Sequence, residues 1–427
     1  MHNRLVVTGS NLNQLEVWTQ DISNGLDILN DCWIDNTETV ATNEFLPYKN
    51  GIGFQYSNTS IAVQAGDQGS SVMSNMAIFD LNATKWFNPA AIIQGRQPEV
   101  RARMSVSLNS TTNITWFYGG RTESSQNYFN SFYYFDIGSN TWHWPEVSHS
   151  GGYRPARYGH SSSLISERLF IIGGKTMAHN ESDSWVITTA GDFQIFDTTT
   201  YRSISMATIG DIPPARFSFS AVNAPDGKSI VLFGGQNATS TSLFDAKNDI
   251  YVLDTCTLNW SQPIISGTPP IARAGHEAIK FMDQYMIITM GIQNFLPEIG
   301  PIYIDDTAIL DMKTWTWLDH IPQQHRPLKL NKPVSCRFTF PFVNPDEDGG
   351  NQPDPFTPSV LSNNTDSNVK KLALGITFGI LGFLILATAG VIFILRIRRD
   401  VDPNKNPRWL PSVLLLKKRK VSANTAE

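Results

Sequence analysis

Apolar and polar positions along this chain follow one pattern that recurs five times. Each copy has a short apolar run that ends in glycine, a second apolar run that ends in Asp, and usually a Trp shortly after it. In the clearest copy an Arg precedes the first run, and the positions are Arg216, Gly234–Gly235, Asp254 and Trp260. Short apolar runs bounded by glycine and polar residues predict buried β-strands joined by turns. The pattern therefore predicts an all-β fold.

The copies recur at a nearly constant spacing. Four of them begin at Arg103, Arg157, Arg216 and Arg273, which are 54, 59 and 57 residues apart, and in four copies the Trp lies six residues after the Asp. A fixed period near 50 residues in a strand-rich chain predicts a β-propeller. The paired apolar runs are Ile61–Gly66 with Met76–Asp80, Trp116–Gly120 with Phe132–Asp136, Leu169–Gly174 with Phe193–Asp197, Ile230–Gly235 with Ile250–Asp254, and Tyr285–Gly291 with Thr307–Asp311.

These runs resemble the kelch repeat, a four-stranded propeller blade with a diglycine after its second strand. The resemblance extends to about Val343. Over this range the chain is similar to kelch membrane proteins of the fungal type and to the central domain of galactose oxidase. It implies one blade per copy, with the Trp on the outer strand packed between blades. Three copies depart from the pattern, because Ser203 replaces the Trp, and Met290-Gly291 and Ala65-Gly66 replace the diglycine.

The two ends of residues 1–343 each supply part of one further blade. Leu5–Gly9, Gln14–Trp18 and Asp27–Trp33 suit the second, third and fourth strands of a blade that lacks its first strand. Cys336–Phe342 resembles the first strands, so we expect it to complete that blade and close a ring of six, which removes exposed sheet edges. The same closure would place Cys32 and Cys336 in one blade, where a disulfide is one expectation. The alternative is an ordinary extra strand and a ring of another size.

A single apolar segment follows the predicted propeller. Residues 372–395 contain no charged side chain and, at 24 residues, are long enough for one transmembrane helix. Basic residues are concentrated in 396–427, which the positive-inside rule assigns to the cytosol, whereas 344–371 has the composition of a disordered stalk. This predicts a single-pass type I protein of the plasma membrane or secretory pathway. Gly375 and Gly379 have the spacing of a helix-pairing face and predict a homodimer.

Glycosylation sequons support the same orientation. Sequons predicted to be glycosylated begin at Asn58, Asn82, Asn109, Asn113, Asn180, Asn237 and Asn363. The sequon at Asn259 is doubtful because the next residue, Trp260, has a core position. The N-terminus has no secretion signal and begins within a blade, so we expect a signal peptide and further residues upstream. The competing interpretation is a kelch scaffold in the cytosol tethered to an internal membrane.

Charge and composition exclude two classes of function. Residues 1–369 carry 22 Lys and Arg against 35 Asp and Glu, a net charge of −13, which is unsuited to binding nucleic acid. A copper oxidase like galactose oxidase is the catalytic alternative, with His160 and His276 as candidate ligands. Neither Cys32 nor Cys256 lies beside a suitable tyrosine, and two imidazoles alone do not make a copper site. We therefore expect no metal and no other cofactor.

The remaining candidate chemistry lies in loops. The aspartates that end the second runs are predicted to cap turns, and the repeated arginines to be structural. The segments after the glycines vary from copy to copy, so they are expected to bind a protein or glycan without catalysis. For each candidate, packing against the rim of the propeller is the alternative. The candidate contact residues are Tyr128, Phe129, Trp185, Phe244, Phe295 and Tyr303.

Overall fold

The computed structural model describes residues 4–321, except 11–14, 24, 31–32, 37–49, 65, 67–75, 88, 90–91, 123–126, 151–155, 178–184, 188–191, 238–243 and 297. The chain divides into two units, 1–340 and 341–427, and the second lies wholly outside the described residues. The predicted stalk, transmembrane helix, tail, Gly375 and Gly379 therefore stay predictions. Within the described ranges no helix is long and apolar enough to cross a membrane.

Thirty-two strands and one short 3-10 helix, Ile28–Asn30, make up the described fold. The first two blades contain β1 Arg4–Ser10, β2 Leu15–Asp21, β3 Leu26–Asp27, β4 Ile34–Asp35, β5 Ile52–Gln55, β6 Ser60–Gln64, β7 Met76–Asp80 and β8 Lys85–Phe87. The third and fourth blades contain β9 Ser105–Asn109, β10 Ile114–Tyr118, β11 Phe132–Asp136, β12 Thr141–His143, β13 Ser148–Ser150, β14 Arg157–Tyr158, β15 Ser161–Ile165, β16 Arg168–Ile172, β17 Lys175–Met177, β18 Trp185–Ile187, β19 Asp192–Asp197 and β20 Arg202–Ala207.

The last two blades contain β21 Ile209–Gly210, β22 Ser220–Asn223, β23 Ser229–Phe233, β24 Ile250–Asp254, β25 Asn259–Ser261, β26 Glu277–Phe281, β27 Tyr285–Thr289, β28 Ile292–Leu296, β29 Gly300–Tyr303, β30 Thr307–Asp311, β31 Thr316–Leu318 and β32 His320–Ile321. The main sheets are antiparallel, in the orders β1-β2-β4, β5-β6-β7-β8, β9-β10-β11-β12, β15-β16-β19-β20, β22-β23-β24-β25 and β26-β27-β30-β31. The predicted all-β propeller of six blades is confirmed.

Each blade packs its apolar side chains against the next blade. The second and third strands are buried on both faces, which explains why their sequences are continuous apolar runs rather than alternating ones. One apolar cluster lies at every junction between successive blades. The sixth cluster joins Leu5 and Ile22 of the first blade to Ile287 and Ile309 of the last, so the ring is closed.

The predicted outer tryptophans lie where the repeat places them. Trp86, Trp142, Trp260 and Trp317 are buried on the fourth strands of four blades, and Ser203 takes this position in β20. Four described connections run along the outer edge of the blade that follows, as in the parallel pairing of β21 with β25. Gly210 lies in this connection against the Trp260 carbonyl, and a Cβ at Gly210 would collide with that oxygen. The tryptophan strand and the connection therefore fit together only with glycine.

The structure corrects the position of one repeated arginine. Arg101, Arg157, Arg216 and Arg273 are all buried, and each donates to the carbonyl that follows the second strand of its own blade. The prediction that Arg103 belongs to this series is wrong, because Arg103 lies two residues further on. The arginine spacing is thus 56, 59 and 57 residues, counted from Arg101.

Arg103 belongs to a second series that links the blades. Its amide donates to the Asn50 carbonyl at 3.2 Å, and its carbonyl accepts from Gly159 at 2.9 Å. The Gly159 carbonyl in turn accepts from the Ser218 amide at 2.7 Å, and the Ser218 carbonyl accepts from the Gly275 amide at 2.8 Å. All five residues have positive φ. We call this chain of backbone hydrogen bonds across five successive blades the belt.

The N-terminal blade differs in part from its prediction. Its fourth strand is β4, which pairs with β2, rather than residues 27–33. Leu26–Asp27 instead pairs with His320–Ile321 beyond the sixth blade. The predicted closing strand Cys336–Phe342 lies outside the described residues. Cys32 and Cys336, between which a disulfide is one expectation, also lie outside the described residues.

Candidate functional site

One face of the ring carries a second layer of backbone pairing. In four blades the residue after the buried Arg pairs with the residue that follows the glycines of the second strand. That residue also pairs with the segment of the loop that returns to the third strand. We call this layer the upper tier; its sheets are Ala102–Arg121–Tyr128, β14–β17–β18, Phe217–Gln236–Ala246, and Ala274 with β28 and β29. The sequence predicted loops here, and the structure instead forms short strands in the fourth and sixth blades and isolated β-bridges in the third and fifth. The predicted contact residues Tyr128, Trp185, Phe244, Phe295 and Tyr303 all belong to this layer or adjoin it.

In three blades the buried arginine holds both ends of the upper-tier insertion. Arg216 donates to the Gly234 carbonyl before the insertion and, through both terminal nitrogens, to Asp249 after it at 2.6 and 2.9 Å. In the third blade Arg101 reaches the hydroxyl of Ser131 at 2.9 Å. A guanidinium satisfies a carbonyl and a carboxylate together because its donors form a rigid fork. These contacts confirm that the arginines are structural.

Two of the predicted contact residues pack onto the propeller. The ring of Phe129 lies 3.6 Å from the guanidinium carbon of Arg101, and Tyr128 stacks on Tyr158 at 6.1 Å. Both are half-buried, as is Phe244, whereas Trp185 lies on β18. Tyr128 and Phe129 therefore make the contacts expected of loop aromatics that pack onto the rim of the propeller instead of contacting a ligand.

The other two lie together on an exposed hairpin. Phe295 is 43% exposed and Tyr303 is 72% exposed, on β28 and β29 respectively. The turn of the same hairpin exposes Ile299 to 78%. The sequence analysis missed Ile299, although its place between two apolar runs and next to Gly300 is the signal of a hairpin turn. The upper tier thus has one aromatic surface that is not covered by the described propeller.

Cations cluster at the junction of the third, fourth and fifth blades. Arg121 lies over the ring of Tyr158 at 4.7 Å, and Lys175 lies over the ring of Phe217 at 4.0 Å. In each pair a residue after the glycines covers an aromatic ring of the next blade. Burial, and then the positive charges of Arg103 and Arg121, lower the pKa of Lys175. On this side of the upper tier, cations therefore lie over the buried rings of Tyr158 and Phe217.

The two candidate copper ligands are structural. His160 Nε2 is 2.8 Å from the Ser105 hydroxyl of the preceding blade, and His276 Nε2 is 2.8 Å from Ser220 in the same way. Burial, followed by the charge of Arg273, lowers the pKa of His276 to about 3, so the imidazole is neutral. Among the described residues no group of three His, Cys, Asp or Glu side chains could hold a metal ion.

Glu277 takes the strand position that Ser220 has in the preceding blade. Glu277 as a whole is exposed to solvent. Even so, the surrounding protein desolvates the carboxyl and raises the pKa of Glu277 to about 7. Serine occupies the same position in the third blade, Ser105, and in the fourth, Ser161.

The repeated aspartates cap turns on the opposite face. Asp254 accepts from the backbone amides of Cys256 and Thr257 at 2.8 and 3.0 Å. The equivalent contacts in the other blades are made by Asp80, Asp136, Asp197 and Asp311. These contacts confirm the predicted role, and they place the carboxylates in separate blades, one per turn.

The sequons differ in accessibility. Asn58, Asn82 and Asn113 are exposed, and Asn237 is half-buried. Asn109 is only 9% exposed, and its amide nitrogen donates to Glu167 at 3.1 Å. A glycan on Asn109 would therefore require this contact to break. Asn180 and Asn363 lie outside the described residues.

Comparison with known proteins identifies the repeat. A family model described as the KLHDC2/KLHL20/DRC7 Kelch-repeats domain matches residues 54–191 and 188–336. The host cell factor of Drosophila melanogaster is 22% identical over 284 residues, 60% of this chain and 18% of that protein. Kelch domain-containing protein 3 of Bos taurus is 29% identical over 168 residues, 39% of this chain and 41% of that protein. The chain spans less than half the length of either of these curated relatives.

Proposed function

Because the chain belongs to the kelch-repeat family, whose propellers generally bind protein partners, we propose that it is a non-catalytic scaffold that binds a protein through its upper tier. The observation that carries this proposal is the combination of a repeated body with variable insertions. Arg101, Arg216 and Arg273 fix the ends of three insertions in the same way, while the side chains between those ends differ. A rigid frame that presents different loops on one face is a common arrangement for recognition. A glycan remains a second class of ligand for the same face.

The proposal is tested by comparing substitutions on the two faces of the full-length protein. Asn127→Arg with Gln293→Arg alters exposed positions of the upper tier, and Ala83→Arg with Thr112→Arg alters exposed positions elsewhere. Partners are identified by cross-linking in the native host, with mass spectrometry locating the cross-linked residues. We expect the first pair to reduce partner recovery at least tenfold and the second pair to leave it unchanged. Equal recovery with both pairs would refute the upper tier as the binding face.

We further propose that the propeller lies outside the cytosol, on a type I membrane protein. Support comes from the apolar segment 372–395, the basic residues that follow it, and the exposed sequons at Asn58, Asn82 and Asn113. The disulfide of Cys256 adds support, because disulfides are rare in cytosolic proteins. Expression in a eukaryotic host should give a membrane-integrated product whose mass falls by several glycans on deglycosylation. An unchanged mass would favour the cytosolic, tethered scaffold instead.

A further inference from the structure

The hairpin of β28 and β29 presents one continuous apolar face. Phe295 lies directly opposite Pro301, and Ile292 opposite Tyr303, with a register shift in β28 between Ile292 and Asn294, so the shared face is followed along β29. Residues directly opposite in an antiparallel pair share a face, and so do residues two apart in one strand. Phe295, Pro301 and Tyr303 therefore lie on the same side of the hairpin, which we call the hairpin face.

The hairpin is firmly attached at its base. Arg273 donates to the Met290 carbonyl at 3.2 Å on the entering side and to the Asp306 carboxylate at 2.5 and 3.0 Å on the leaving side. Ile292 exchanges two backbone hydrogen bonds with Ala274, at 2.8 and 3.0 Å. A free two-stranded hairpin is only marginally stable in water. Here its orientation is set by the sixth blade.

The exposure of this face distinguishes it from the third-blade insertion. There the aromatics are half-buried on described neighbours, Tyr128 on Tyr158 and Phe129 on Arg101. In the sixth blade, Phe295 and Tyr303 remain 43% and 72% exposed, and Ile299 at the turn is 78% exposed. Aromatic side chains grouped on a rigid support and left in solvent are typical of contact anchors.

Acidic residues lie at the turn of the hairpin and directly after its second strand. Glu298 lies at the turn, and Asp305 and Asp306 follow the second strand, with Asp305 and Glu298 exposed. Asp306 is paired with Arg273, which is fully buried. Charge complementarity therefore favours a basic occupant. It disfavours anionic lipid, and also a second copy of this chain, whose residues 1–369 carry the net charge of −13.

We propose that the hairpin face docks a segment of a partner protein in which aliphatic side chains alternate with or adjoin lysine and arginine. This inference rests on the proposed function and specifies one part of the upper tier. The aliphatic side chains pack on Phe295, Ile299 and Tyr303, and the basic side chains pair with Glu298 and Asp305. Pairing at a solvent-exposed rim affects association rate and salt dependence more than affinity.

The test places a photo-crosslinking amino acid at single positions of the full-length protein in its native host. The positions are Ile299 on the hairpin, Asn127 on the upper tier of the third blade, and Ile264, which is 96% exposed in the connection between the fifth and sixth blades. We expect the cross-link yield at Ile299 to exceed that at Ile264 at least tenfold. Sequencing of the attached peptide should show aliphatic residues next to lysine or arginine.

A second measurement tests the chemistry of the contact. The double variant Phe295→Ser with Tyr303→Ser should abolish the cross-link from Ile299, while a thermal melt verifies that the propeller remains folded. Raising the salt concentration from 0.05 M to 0.5 M should lower the yield at least fivefold, because exposed charges are screened. If the double variant unfolds, the salt dependence and the peptide sequence still decide the question.

The outcomes separate this inference from the proposed function. Cross-links at Asn127 but not at Ile299 would overturn the hairpin proposal and leave the upper tier as a binding face. No cross-link above the Ile264 level at either position would overturn both. An acidic peptide, a lipid or a second copy of this chain attached at Ile299 would overturn the proposed partner chemistry.

Discussion

The guanidinium of Arg273 donates both terminal nitrogens to the carboxylate of Asp306, which follows the hairpin in sequence. Arg273 is 0% exposed and Asp306 is 44% exposed, so the pair joins the interior of the sixth blade to its surface. The same guanidinium holds the Met290 carbonyl at the other end of the insertion. One buried side chain thus fixes where the hairpin leaves the blade and where it returns.

Asp306→Ala should destabilise the propeller, because it leaves a buried guanidinium without its carboxylate. We expect a loss of about 2–3 kcal/mol, somewhat below the usual cost of breaking a fully buried pair since Asp306 is partly exposed. The matched control is Asp305→Ala, at the exposed neighbouring residue, which should change stability by less than about 0.5 kcal/mol. Thermal unfolding followed by intrinsic fluorescence measures both. Equal melting temperatures for the two variants would contradict the role of the pair.

His276→Phe should reduce the loss of stability at acid pH. The folded-state pKa of His276 is lowered to about 3, whereas an unfolded histidine titrates near 6.5. Between these values only the unfolded chain binds the proton, so the contribution of His276 is complete above pH 6.5 and is lost as the pH falls, by at most about 1.4 kcal/mol per pH unit. Phe219 already occupies the equivalent position in the fifth blade, so the substitution has a precedent within this chain.

The measurement for His276 is the melting temperature at pH 7.5 and pH 4.5 in the parent protein and in the variant. The drop between the two pH values should be smaller in His276→Phe than in the parent. The control is His320→Gln at an exposed histidine, which should retain the parental drop. If the melting temperature of both variants falls between pH 7.5 and pH 4.5 by as much as that of the parent, the buried imidazole does not set the acid sensitivity.

Glu277→Ser should raise the melting temperature at pH 8 more than at pH 5. The folded-state pKa of Glu277 is raised to about 7, above the value of 4.5 for an ordinary glutamate. Folding therefore opposes ionisation of this carboxyl, and stability falls as the pH rises from 4.5 through 7. Serine introduces the residue found at this position in three other blades. An equal effect at both pH values would indicate a packing change rather than a titration.

Gly210→Ala should be far more damaging than Gly275→Ala. Both glycines have positive φ, so each substitution carries a backbone cost of about 1–2 kcal/mol. A Cβ at Gly210 would also collide with the carbonyl of Trp260, whereas a Cβ at Gly275 meets no atom within 4 Å. We expect Gly275→Ala to fold with a reduced melting temperature and Gly210→Ala to lose soluble expression. Similar melting temperatures would show that the edge connection can shift away from Trp260.

Glycan occupancy should follow the accessibility of the sequons. In a secreted or membrane-inserted product, Asn58, Asn82 and Asn113 should be occupied and Asn109 largely unoccupied, because the Asn109 amide is held by Glu167. Peptide mapping after enzymatic deglycosylation in heavy-oxygen water measures each site. Full occupancy at Asn109 would mean that the glycan is added before this contact forms.

Much of the fold was predictable because a propeller repeats its local rules. The apolar runs, the glycines and the Asp-to-Trp interval each correspond to one strand or turn, so five copies reinforced one another. Arg103 was misassigned because it is also an arginine, two residues beyond the correct one, and only the contact of Arg101 with the Gly119 carbonyl separates the two. The first blade was misread at Asp27–Trp33, where Leu26–Asp27 pairs with the last strand of the described chain rather than with its own blade.

The upper tier was less predictable. The sequence showed that the insertions vary and contain aromatics, but it did not show which aromatics are covered. Tyr128 and Tyr303 occupy the same place, each paired with the residue after the glycines, yet one stacks on Tyr158 and the other is 72% exposed. That difference depends on contacts between distant segments. Periodicity and composition do not report such contacts.

The belt has a consequence for how this architecture diversifies. Its links are made by backbone amides and carbonyls of Asn50, Arg103, Gly159, Ser218 and Gly275, which are chemically unlike side chains at equivalent places. A link formed by the main chain survives replacement of the side chain it carries. Evolution or an engineer can therefore exchange these residues, among those that tolerate a positive φ, and recruit them for new specificities while the blades stay linked to one another.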